Sequence, residues 1–576
     1  MDKLTRVQIA LALLCAAAIA SLFVMPSTQW LVRTQLEMPF SSTAALDGSV
    51  QNAAETEEIQ ARNNGEGSDV AAAPGKAEQY LHDLGLALTV NPEGHKHSKN
   101  IAPEIVLRNL WVLTRRYPNQ ASLYAHILRF STAVKIQLHR DEEYQLQGQP
   151  IPTDQAQATT DPDELAKFDK AATTGAKLDP DNSFFPFIRA AGLFAAHKDD
   201  QAMASIQEAS LKSTWNDYLA EDFLSRVKLA ENVYGRISYL TQLAMYTGAL
   251  MPHYATCRAT ARIATYMAIE AQRNGNVDQA LAMRHAIMQC GSLMRVHSSS
   301  YAGSLVGVAM TSIAARKDAQ EANTTVTADS AEQKSQARLQ EYYDYLNYQG
   351  KTAEVKWVQN EIAAGDQVKA LGEASNDSAT GGKSTSELVV FWTAEMLLLA
   401  NALSLLVIGV IAAISVIKNR PVAAAWIGVI ILALVVIFCE FCWIQALIWL
   451  WAQASSAAIN NSDSGAGVLS SGSVGDVFSG AMGPRILAIA STLALPIVMF
   501  LCVSVGSLLL RQTWGTALSK SFKGIGIAMA FCLVLLYSAL IPVTAAAEDR
   551  ARDDLDKMVV HEGPYYAALL GKTWPQ

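Results

Sequence analysis

The stretch VVIFCEFCWIQALIWLW, residues 435–451, sets a carboxylate and two thiols inside an otherwise apolar run. Cys439 and Cys442 have the C-x-x-C spacing of thiol–disulfide exchange, and Glu440 beside them could carry a proton. Trp449 and Trp451 mark an expected bilayer edge, which puts Glu440 about 15 Å deep. No Lys, Arg or His lies at that depth, and a charge at the bilayer centre costs about 3 kcal/mol. Glu440 is therefore expected to be a neutral carboxyl bonding neighbouring helices through Ser491, Thr492 or Ser504, with proton or ligand handling as the alternative. Glu395, about 10 Å deep in the preceding apolar run, is the second such carboxylate. The two thiols sit too deep for a redox partner and read as small hydrophobes.

Outside the apolar runs the cysteines are Cys257 and Cys290. If residues 255–273 and 277–291 are antiparallel helices turning at Asn274–Asn276, both thiols fall at the end away from the turn. In an oxidising compartment that spacing leads us to expect a disulfide, with two buried free thiols as the alternative. Other motifs fail on context. GGKST at 381–385 lacks the first glycine of a phosphate-binding loop, because Asp377 stands there, and no strand leads into it. GKT at 571–573 fails in the same way, and His95 with His97 is too small a set for a metal site. No catalytic residue, cofactor or metal is expected, and the chain reads as a non-enzyme.

The elements that must carry these residues divide sharply by composition. Five runs are long and apolar enough to be read as membrane spans: 7–25, 388–417, 422–452, 485–510 and 524–547. Lys3 and Arg6 precede the first, Lys418 and Arg420 lie in the 418–421 turn, and Arg511, Lys520 and Lys523 lie in the 511–523 loop. The Ser/Gly-rich loop 453–484 holds Asp463 and Asp476 with no base before Arg485 starts the next run. The bias towards inward-facing bases predicts residues 1–6 inside, 26–387 outside and an acidic tail, 548–576, outside. A plasma-membrane, multi-pass localisation follows, with the bilayer itself as a partner. Residues 26–387 hold 42 acidic against 33 basic side chains, a balance that excludes nucleic acid as a partner.

Between the first two runs the sequence is helical in pattern. Residues 26–77 and 366–387 read as flexible linkers and 78–365 as a helical domain, because apolar residues recur every three or four positions in PEIVLRNLWVLTRRY and ASLYAHILRFSTAV. Two segments show paired helices with small residues where they would cross. In 178–210 a turn at His197–Asp200 separates the helices, with Ala202 and Ala209 on the second. In 261–287 Ala268 and Ala280 flank a turn at Gly275. This pattern resembles the tetratricopeptide (TPR) repeat, although the repeat's large aromatic and first-helix glycine are mostly missing. The resemblance implies an all-α, solenoid-like domain that binds a protein or peptide. The order of anchor, external insert and terminal bundle is similar to the MacB/FtsX class of permease-like proteins, but with four terminal runs where that class has three. The expected fold class is thus all-α: a TPR-like extracytoplasmic domain and a five-span transmembrane bundle over 7–25 and 388–547. The expected role is scaffold or assembly work, with a transporter using Glu440 and Glu395 as the alternative.

Overall fold

The computed structural model describes residues 77–376 and 546–575, apart from 90–102, 137, 139, 148–159, 316–330, 547 and parts of 235–250. Among the described residues the secondary structure is helical, with one isolated bridge between Asn182 and Thr214. Nearly all of the described helices belong to one compact unit, residues 46–235, 242–373 and 555–576; a second unit takes 1–45, 236–241 and 374–554.

The helices of the first unit are α1 (Ala77–Thr89), α2 (Pro103–Arg116), α3 (Ala121–Val134), α4 (Asp141–Gln147) and α5 (Pro162–Leu178). Then come α6 (Phe184–Ala195), α7 (Asp199–Ser210), α8 (Leu219–Tyr234), α9 (His253–Arg273) and α10 (Val277–His297). The last are α11 (Tyr301–Ala314), α12 (Ala331–Tyr348), α13 (Thr352–Asn376) and α14 (Glu562–Leu569). Local signals set several boundaries. Asp161 caps α5, accepting from the Asp163 N–H at 2.9 Å, and Pro162 fills the first helical position, where no N–H is needed. Four helices end on a residue in the left-handed region: His197 (φ 55°), Gly275 (φ 84°), Gly350 (φ 69°) and Gly571 (φ 64°). At Gly275 the Asn276 N–H donates back to the Ala271 carbonyl at 2.9 Å, closing a Schellman turn into α10; only glycine adopts that φ without strain. Lys198 to Leu193 (2.9 Å) and Lys351 to Leu346 (3.0 Å) repeat the device between α6 and α7 and between α12 and α13.

Packing follows chain order for much of the unit: α1 on α2, α2 on α3, α5 on α6, α6 on α7, α9 on α10 and α10 on α11. That order is compatible with helical repeats. It also departs from a one-dimensional stack, in which each repeat meets only its neighbours: α8 returns to α1, and α9 crosses α3, α4 and α6. The core is aromatic around α6, where Phe184 and Phe187 each meet Trp215 edge to face at 5.7 Å. Burying a large apolar side chain contributes about 1.5–3 kcal/mol, so this cluster is a principal anchor of the unit. Arg140 then locks the α6–α7 turn, gripping both oxygens of Asp199 (2.9 and 3.1 Å) and the Phe194 carbonyl (3.0 Å).

Two expectations are corrected. No helix among the described residues is long and apolar enough to cross a membrane, so the five-span bundle is not shown, and what is described of the fold is all-α. The physical reason lies in the helices themselves. Even α13, 25 residues long, carries Glu354, Lys356, Glu361, Asp366, Lys369 and Glu373 at intervals that leave no apolar run. The stretches expected to span lie, but for residue 546, outside the described residues. The linker expected from 366 is also displaced, because α13 continues to Asn376.

Candidate functional site

Two places in the first unit gather polar and charged side chains in the interior. The first joins α3, α8 and α9. Asp217 caps α8, its Oδ1 accepting the Leu219 N–H at 3.2 Å. Its Oδ2 accepts from His253 Nε2–H (2.9 Å) and from the Tyr254 hydroxyl (3.0 Å). Tyr254 in turn accepts from Ser300 Oγ at 2.7 Å, and Ser300 caps α11 by accepting the Gly303 N–H at 3.0 Å. Burial alone would raise the Asp217 carboxyl, but the bonds from His253 and Tyr254 and the charge of Arg129 hold it well below the carboxylate range. Burial lowers His253, so the ring is neutral, with its proton on Nε2 and its Nδ1 an acceptor left without a partner.

Beside it, Asp222 accepts from Arg129 (3.3 Å) and from Arg226 (2.7 Å), and Arg129 donates to His126 Nδ1 at 3.1 Å. Burial would raise Asp222, but Arg226 and Arg129 outweigh it and hold the carboxyl at about 2. Burial, then Arg129, drives His126 down to about 3. Asp, His, Tyr and Ser together are the side chains of a hydrolytic centre, yet Asp217 is 1 % exposed and His253 and Ser300 are 0 % exposed. These side chains are closed off from solvent and tie α3, α8, α9 and α11 together.

The second place is a groove between the end of α10, α11 and α13, filled by residues 562–575. Glu562 opens α14; its Oε2 accepts the Tyr301 N–H at 2.7 Å and the Tyr246 hydroxyl at 2.9 Å. Its own N–H donates to the Ser299 carbonyl at 2.9 Å. Tyr301 begins α11, so the carboxyl sits where a helix presents free N–H groups and favours negative charge. Burial pushes the other way and raises Glu562 above the usual carboxylate range. After α14 the chain reverses at Gly571 (φ 64°), with the Lys572 N–H donating to the Ala567 carbonyl at 2.8 Å. The reversal lays the Trp574 ring against Val308, Val368, Leu371 and Ala567. It also covers Gly563, where a Cβ would lie 2.5 Å from the ring and could not be accommodated. The Pro575 carbonyl accepts from Arg295 Nη1 at 2.8 Å, while Arg295 Nη2 donates to Glu361 (3.1 Å) and Ser292 (3.3 Å). Arg295 is 2 % exposed, so the Pro575 carbonyl is the acceptor of an otherwise buried donor.

Cys257 and Cys290 are free, fully buried thiols, which corrects the expected disulfide. Cys290 Sγ is engaged elsewhere, donating to the Ile206 carbonyl at 3.7 Å, and burial pushes its thiol up to about 12. Burial raises the Cys257 thiol as well, leaving neither as the reactive thiolate. Glu395, Cys439, Glu440 and Cys442 lie outside the described residues, as do His95, His97 and residues 381–385. Among the described residues no group of His, Cys, Asp and Glu is arranged to hold a metal. The second unit contributes a buried carboxyl, Glu548, which accepts from the Tyr239 N–H and is raised to about 7 by burial. The groove residues were not singled out in the sequence; Trp574 and Arg295 are more than 270 positions apart and share no local pattern.

Comparison of the chain with family models, with curated proteins and with solved structures returns no match.

Proposed function

We propose that residues 77–376 form a TPR-like scaffold that binds a protein or peptide, and that the chain acts by binding rather than by catalysis. One observation carries the reading: the helical array holds a segment remote in sequence through a buried ring, a carboxyl at a helix start and an arginine on a backbone carbonyl. Helical scaffolds bind segments along concave surfaces and in grooves between helices. The sealed state of the Asp217 cluster supports binding over hydrolysis, since those side chains are used up in architecture. Photo-crosslinking tests the reading. A photoreactive residue is placed at Val112, Leu211 or Tyr348, large apolar side chains that are 49 %, 85 % and 87 % exposed. Adducts with a defined protein in the cell that makes the chain are the expected result. An absence of protein adducts from all three positions would contradict it.

A further inference from the structure

Glu548 is the first acidic or basic side chain after the apolar run 524–547, and it is 0 % exposed. One carboxyl oxygen, Oε1, accepts the Tyr239 N–H, and the other, Oε2, is buried with no partner. Both residues belong to the second unit. The charged side chains facing this carboxyl are Arg236 on the 236–241 stretch and Asp549 and Arg552 on its own. Arg236 already donates to Asp549, a carboxylate that is 61 % exposed, so its charge is drawn towards the surface. A buried carboxylate stays charged where several charged donors meet it, as Arg129 and Arg226 meet Asp222. Glu548 has one backbone N–H and a bare oxygen. A proton on Oε2 removes the buried charge and leaves Oε1 to keep its bond to Tyr239. Trp215 and Trp574 also bury an unpaired polar atom, but an indole has no second protonation state with which to answer. Glu221, which also has a bare oxygen, is only partly buried and has the Tyr80 and Ser122 hydroxyls on its carboxyl.

From this arrangement we propose that Glu548 is a proton-binding site, and that its proton holds residues 548–552 on the 236–239 stretch. The joint is closed while the carboxyl is neutral and weakens when it ionises. The binding role given above is not needed for this. Burial raises the carboxyl to about 7, against the smaller opposing pulls of the Tyr239 N–H, Arg236 and Arg552. A raised carboxyl contributes fully below its ordinary value of about 4.5, less as pH climbs towards 7, and no further change above that. The joint therefore answers pH with the opposite sign to the neutral histidines His126 and His253, whose contribution drains as pH falls. Its working range covers the pH interval in which an ordinary glutamate is already ionised and silent.

Infrared difference spectroscopy and hydrogen exchange on the purified full chain test this. Raising the pH from about 5 to about 9 should bleach a neutral-carboxyl band with a midpoint near 7, and that component should be missing from Glu548→Gln. Exchange is read on peptides covering Tyr239 and residues 548–556, each against the free peptide at the same pH. Their protection should fall about ten-fold per pH unit between about pH 5 and 7 and level off above, the slope of one proton released on opening. In Glu548→Gln, which is neutral at every pH, protection should not follow pH over that range. Protection in the unaltered chain that does not change with pH, or a slope that survives in a Glu548→Gln chain of normal helicity, would overturn the proposal. So would a carboxyl band that Glu548→Gln leaves unchanged. Should that variant fail to fold, Arg236→Gln is read instead. It removes a charge that favours the ionised form, so the band midpoint should move to higher pH, and an unmoved midpoint would overturn the proposal.

Discussion

The Asp217 cluster and the 562–575 groove bury polar chemistry in the same helical unit, but they differ in what completes them. In the cluster every partner comes from helices or turns between residues 126 and 303. In the groove the acceptor for Arg295 and the carboxyl at the start of α11 arrive from a segment more than 260 residues further on. A buried ion pair is weak evidence for stability but strong evidence of dependence, because losing one partner strands the other. Loss of a cluster partner is expected to weaken the whole unit, whereas in the groove Arg295 would keep Glu361 if the segment left. The same chemistry thus closes one place with neighbouring helices and the other with a segment remote in sequence.

Acid separates the two most strongly. His126, held at about 3, and His253, also lowered, take up protons only when the unit unfolds. Their folded values lie below the ordinary value of about 6.5, so their contribution is full above that pH and drains as the pH falls towards 3. Asp217 and Asp222 are likewise lowered and lose their contribution below about pH 4. Glu562 is raised and has the opposite sign: its contribution is full below the usual carboxylate value and shrinks as pH rises. Denaturant titrations at stepped pH should show stability falling continuously below about pH 6.5, most steeply under pH 4. A flat profile between pH 6.5 and 4 would remove the neutral histidines from the core.

Asp217→Ala comes next in size. It strands His253, Tyr254 and the Leu219 N–H, and breaking a buried set of this kind costs about 3–5 kcal/mol. The loss should appear as a shift of the global unfolding midpoint. Trp574→Ala should be smaller and local. Truncating a buried tryptophan costs about 3–5 kcal/mol, and release of the unpaired Nε1–H returns about 1–3, which leaves about 2. Amides of 562–575 should lose protection while those of α9 and α10 keep theirs. Glu562→Gln is the smallest change, about 0.5–1.5 kcal/mol, because the amide keeps the acceptor for Tyr301 and Tyr246. It should also abolish the part of the segment's pH dependence that runs opposite to the core.

The helix pairs were legible in the sequence for a physical reason: their signals are local. The turns at His197–Asp200 and Gly275 stand where the composition places them, and Ala202, Ala209, Ala268 and Ala280 are fully buried. Residues 366–376 were misread as linker because Val368 and Leu371 look isolated in a polar run, and the ring they pack against is Trp574. The charge run that opens the 548–576 tail hid an apolar side in the same way: Leu555 and Val559 are buried. The site residues carry one local hint, Asp222 and Arg226 at helical spacing, together with a histidine and an arginine in the apolar helix α3. Everything else in the cluster and the groove joins residues whose separations follow no period.

Hydrogen exchange of the full chain, read by mass spectrometry on peptides covering 562–575 and 284–297, tests most directly whether the segment is docked and detachable. The expected result is that 562–575 exchanges far more slowly than the free peptide, yet opens at lower free energy than α10 and with little response to denaturant, the mark of a local opening. Exchange of 562–575 at the free-peptide rate would mean the segment is not docked. Exchange of 562–575 and 284–297 together, only through global unfolding, would mean the groove is core like the rest.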